Sequence, residues 1–99
     1  MRFLQFDHSE GSDGTQTLEA MASTREAEHA AVMAEVAEVL AWAEAGFGNR
    51  RGPAEEGGTW DHELLVQHEA GGWVTVTLTF SASEEFAEAL RAEFDSPAD

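Results

Sequence analysis

Hydrophobic positions along this chain switch twice between a two-residue and a helical repeat. In residues 2–9, Leu4, Phe6 and His8 alternate with Phe3, Gln5 and Asp7, which predicts a strand. Ser12, Asp13 and Gly14 then make a turn, with glycine supplying the positive φ of a three-residue loop. Residues 16–22 alternate again, Leu18, Ala20 and Ala22 on one side, Thr17, Glu19 and Met21 on the other. A loop of that length sets His8 opposite Leu18 and Phe6 opposite Ala20, so the apolar sets of both strands meet.

The period next becomes 3.6. Over residues 24–45, His29, Val32, Met33, Val36, Leu40 and Ala43 share one stripe, and Phe47 continues it. Glu28, Glu35 and Glu38 fall opposite. Ser23 and Glu26 read as a capping box at the start. Gly46 and Gly48 are expected to stop the helix in the left-handed conformation. Trp42 falls on the acidic side, where it is either covered by neighbouring chain or an anchor for a partner.

Residues 46–59 hold five glycines, Pro53, Glu55, Glu56 and the pair Arg50 and Arg51. This is a long connection. Its glycines lack the spacing of a dinucleotide fingerprint and follow a helix rather than a strand. Residues 60–69 and 73–82 form a hairpin around Ala70, Gly71 and Gly72. That loop pairs Leu64 with Leu78, Val66 with Val76 and His62 with Phe80. A two-residue loop would throw Val74 and Val76 against Glu69 and Gln67, which decides against it. Ser83 caps a last helix over residues 84–94, where Phe86, Leu90 and Phe94 repeat at four-residue steps with Ala87 beside them. Residues 96–99, including Pro97, make a short polar tail.

The order is therefore ββαββα in one domain, residues 1–99. It predicts an α+β two-layer sandwich: a four-stranded antiparallel sheet with both helices on one face. A shift of sixty residues superposes Thr15, Thr17, Leu18, Ala22 and Ser23 on Thr75, Thr77, Leu78, Ala82 and Ser83, giving pseudo-repeats over about 1–46 and 59–95. Shared strand-to-helix chemistry and true duplication both account for that echo.

Composition narrows the chemistry. No Cys, Lys or Tyr occurs, so disulfides, thiolate nucleophiles, Schiff-base lysines and tyrosine acids are excluded. With Ile also missing, the core must come from Val, Leu, Phe, Met and Trp. A chain of this size buries only about two-thirds of its unfolded surface, which favours self-association. The net charge of −15 argues against contact with nucleic-acid phosphates or anionic lipid and suits a basic protein partner. Nothing resembles a signal peptide or a membrane span, and the Ala, Glu and Arg bias suggests a bacterial, cytoplasmic protein.

His8, His62, His29 and His68 are candidate metal ligands, although the matching carboxylates, Asp7 and Asp61, lie on the other side of their strands. No nucleophile–base pair and no cofactor motif can be nominated, so the reading leans away from an enzyme. Arg50 and Arg51 are a candidate anion site, or partners for nearby carboxylates. The side of the sheet away from the helices is predicted to carry Trp73, Thr75, Thr77, Leu65, Phe3 and Met21, an apolar set that suggests a covered face. These observations predict a non-enzymatic protein that acts by protein–protein contact, as a homodimer packed through this face. Two further readings stand beside it: an acidic inhibitor or phosphate mimic, and a histidine-based metal or small-ligand domain.

Overall fold

The computed structural model describes residues 2–11, 13–48 and 60–94. Its elements are β1 (Phe6–Glu10), β2 (Gln16–Arg25), α1 (Glu26–Phe47), β3 (Trp60–Glu69), β4 (Trp73–Ala82) and α2 (Glu84–Phe94). The four strands form one antiparallel sheet in the order β1-β2-β4-β3, and both helices lie on one face of it. This is the expected α+β sandwich. The two strands that lead directly into helices, β2 and β4, are the central pair.

The core forms between the helices and this central pair. Leu18, Ala20 and Ala22 of β2 and Val74, Val76, Leu78 and Phe80 of β4 are all buried, as are Val32, Val36, Val39 and Ala43 of α1 and Phe86, Ala87 and Leu90 of α2. Alternation along the strands thus turns the predicted set inward. Both hairpin registers are as read from the sequence: His8 faces Leu18 and Phe6 faces Ala20, while Leu64, Val66 and His62 face Leu78, Val76 and Phe80.

Several local expectations are corrected. The first strand begins at Phe6 rather than residue 2. The amides of Arg2, Phe3 and Leu4 leave the sheet and bind the Glu35 carboxylate of α1 at 3.0–3.1 Å. Three successive N–H groups aimed at one anion make a small backbone nest. Glu35 is therefore no solvated charge on the outer side of its helix. The buried stripe of α1 is centred on Val39, with Met33 and Leu40 half-buried at its border.

Ser23 does not cap α1. The ladder between β2 and β4 runs on to Arg25, which keeps Ser23 in extended backbone opposite Thr75. The cap comes instead from the distant hairpin. Glu26 N–H donates to the Gly72 carbonyl at 3.0 Å, and the Arg25 guanidinium donates to Gly71 O at 2.7 Å. Both glycines have positive φ, 83° and 78°, which presents these carbonyls to the helix start. Gly72→Ala is expected to cost about 1 kcal/mol from that backbone conformation alone, read as a lower urea midpoint with an unchanged slope.

The other end of α1 also differs. Gly48 is right-handed (φ −56°), its N–H bonds Glu44 O, and the helix passes through Gly46 without stopping. The rest of the predicted connection, with Arg50 and Arg51, lies outside the described residues. Ser83 does cap α2, its hydroxyl accepting from Phe86 N–H at 3.2 Å. In the first hairpin the Asp13 carboxylate accepts from Thr15 N–H at 3.0 Å, which holds its pKa below the ordinary carboxylate value.

Candidate functional site

The face of the sheet away from the helices is built in rows by the strand registers. Arg25, Trp73 and Glu69 form the row at the α1 end, followed by Ser23, Thr75 and Gln67. Met21, Thr77 and Leu65 make the middle row. Asp7, Glu19, Thr79 and Glu63 make the next, and Ser9, Thr17, Ser81 and Asp61 the last. Period-two alternation alone produces this surface, because each strand has its even-numbered residues in the helical layer.

The rows divide the face by chemistry. Met21 is 60% exposed, Leu65 50% and Trp73 40%, so the upper part carries three large apolar side chains in water. The Arg25 guanidinium stacks 4.7 Å from the Trp73 ring centre, a cation–π contact that steadies the indole. Thr75 is the buried exception: its hydroxyl lies 2.7 Å from Glu69 Oε1 and 3.1 Å from the Ser23 hydroxyl, with Ser23 and Glu69 on the flanking strands. The lower part is acidic, since Asp7, Glu19 and Glu63 share one row and Asp61 begins the next.

One predicted member of this surface lies elsewhere. Phe3 sits in the segment held by Glu35, half-buried against the core, with the Arg2 guanidinium 4.8 Å from its ring. Trp42 is half-buried between the helices, with ring centroids 5.9, 5.6 and 5.4 Å from Phe47, Phe86 and Phe94. It is the covered Trp of the two sequence readings. The aromatic residues of α2 reach round to it, a tertiary contact that a helical wheel of α1 does not show.

The histidines separate into three places. His29 of α1 meets His68 of β3, rings 6.2 Å apart and edge-on. His62 stacks on Trp60 at 5.9 Å. His8 lies against α2. Among the described residues no three side chains of metal-binding type converge.

His8 is held at both ring nitrogens. Gln16 Nε2 donates to Gly14 O at 3.2 Å, which turns the amide oxygen toward His8 Nε2. Nε2 therefore carries the ring proton, and Nδ1 accepts from Arg91 at 3.2 Å. With both nitrogens engaged, the ring is not posed as a general base. A cleft of about 220 Å³ opens beside it between β1 and α2, with Glu10, Glu84 and Glu88 on its walls.

No helix among the described residues is long and apolar enough to cross a membrane. The sequence matches no protein-family model, no curated protein and no solved structure.

Proposed function

We propose that this protein acts by protein–protein contact rather than by catalysis, as a homodimer that presents its open sheet face to a protein partner. The observation that supports this is the exposed apolar set of Met21, Leu65 and Trp73 on one side of a rigid sheet, bordered directly by a row of carboxylates. Large apolar side chains gathered beside a charged border are the anatomy of a binding patch. The acidic row favours a partner with basic groups next to its apolar ones, and steers it by long-range attraction.

The described carboxylates are not confined to that row. Glu28 and Glu38 stand exposed on α1, and Glu84, Glu85, Glu88 and Glu93 on α2. That spread gives no support to a dedicated phosphate mimic, which needs one regular strip.

Size-exclusion chromatography with light scattering at micromolar concentration is expected to give twice the 10.7 kDa chain mass. A partner captured by the wild-type protein is expected to be lost with Met21→Glu and Trp73→Ser, both surface changes. A monomeric mass overturns the homodimer, and capture that survives both substitutions overturns the open face as the contact surface.

A further inference from the structure

Strand β3 is an edge strand with a short apolar run at its centre. Covered on one face only, it should alternate apolar and polar residues throughout. It does so from Trp60 to Leu64, and then Leu65 breaks the pattern between Leu64 and Val66. Three consecutive apolar residues are what a strand buried on both faces carries. Their exposure is unusual on both faces: Leu65 is 50% exposed on the open side and Leu64 36% on the helix side, with Val66 only half-buried. The helices pack chiefly on β2 and β4; on the helix side of β3 they bury Trp60 near one end and set His29 against His68 near the other, which leaves Leu64 exposed between.

The outer edge of β3 is also unguarded at its centre. Its ten residues pair with β4 in unbroken register, with no bulge, proline or lysine. Those are among the devices that keep edges from adding strands; charged side chains are another, and on β3 Asp61, Glu63 and Glu69 flank the run Leu64, Leu65 and Val66 without interrupting it. Among the described residues no strand pairs with that edge.

We infer that β3 pairs antiparallel with β3 of a second copy across a two-fold axis at Leu65, joining two sheets into one of eight strands. This rests on the homodimer proposed above and assigns its seam. Matching of apolar residues, rather than charge, favours this register. With Leu65 facing its own copy, Leu64 meets Val66 twice on the helix side, His62 meets His68, and Glu63 meets Gln67. Shifting the axis to Val66 sets Leu65 against Gln67 and Leu64 against His68, and exchanges the Asp61–Glu69 pairs for Glu63–Glu69 pairs nearer the axis. Shifting it to Leu64 sets Glu63 against Leu65. The chosen register leaves Asp61 opposite Glu69 only at the two ends of the seam.

The seam closes both exposed surfaces of β3 together. Stacking two open faces would cover Leu65 but not Leu64 or Val66, and would bring two acidic rows into one interface. Edge pairing leaves those rows in water and adds roughly eight to ten backbone hydrogen bonds over nine paired residues. It also continues the middle row of the open face across the axis, from Met21 of one copy to Met21 of the other. The doubled face remains free for the protein partner.

The chain has no cysteine, so introduced thiols report the seam without background. The double variant Leu64→Cys/Val66→Cys, both on the helix side, is expected to give a near-stoichiometric disulfide-linked dimer under mild oxidation. Met21→Cys, on the open face, is expected to stay uncrosslinked. In wild-type protein, alternate β3 amides are expected to gain hydrogen-exchange protection as concentration rises. A dimer in which Met21→Cys crosslinks, or in which the β3 amides exchange as fast as in dilute protein, overturns the seam and keeps the homodimer. A wild-type monomer by light scattering overturns both.

Discussion

Trp60→Ala is expected to cost about 4 kcal/mol, in the range of buried Trp and Phe truncations. A domain of this length holds roughly 5–15 kcal/mol in all, so the variant sits near the threshold of unfolding at ambient temperature. Trp60 is fully buried although it opens an edge strand. Its indole lies 5.4 Å from Phe86, nearly parallel, and 6.0 Å from Phe80. Phe86 in turn meets Phe47 at 5.0 Å and Trp42 at 5.6 Å. One side chain therefore ties β3 to β4 and to both helices. Its Nε1–H also donates to the Phe47 carbonyl at 2.9 Å, fixing the last turn of α1. Phe at this position is expected to recover most of the packing but not that bond. Trp73→Ala is the contrast: 40% exposed, it should cost less than about 1 kcal/mol. Urea unfolding followed by circular dichroism distinguishes these outcomes, and equal midpoints for the two Trp variants would sink the aromatic account of the core.

Glu35→Ala is expected to cost about 2–3 kcal/mol, because it strips three amides of their charged acceptor and frees the segment that brings Leu4 into the core. Leu4 is 1% exposed despite lying outside any strand. Its burial depends on the chain being pulled over α1 at that point. Glu35→Gln keeps one acceptor oxygen and should lose about half as much. The amides of Phe3 and Leu4 are the local reporter: they should exchange rapidly in the alanine variant while β4 amides keep their protection. If removing the carboxylate leaves those amides protected, the nest is not what holds them.

These two positions mark how far the sequence could be read. Strand faces, hairpin registers and the two-layer architecture follow from local periodicity, and there the alternating residues were sufficient guides. Glu35 was assigned to solvent because helical angle reports direction, not distance to a segment thirty residues away. Ser23 was given the capping role by its local motif, whereas the strand ladder through Arg25 outweighed it. One more set of ladder hydrogen bonds and the supply of carbonyls from Gly71 and Gly72 replaced what the serine would have contributed. The open face was legible in its threonines and in Met21, Leu65 and Trp73. Phe3 is expected on it and Trp42 is left between cover and anchor, since each is claimed by tertiary partners that no single-element pattern contains. The exposure of Leu64 on the helix side of β3 does not follow from alternation, although the run Leu64, Leu65 and Val66 was its signal.

The central position of β2 beside β4 has a consequence for the order in which the chain can acquire its structure. As the polypeptide leaves the ribosome, its first 48 residues contain β2 without the strand that completes its ladder and α1 without the carbonyls that start it. Neither arrives until residues 71–82 are made. The leading half is therefore expected not to fold alone, because completing it joins segments far apart in sequence, a feature of slow-folding domains of high contact order.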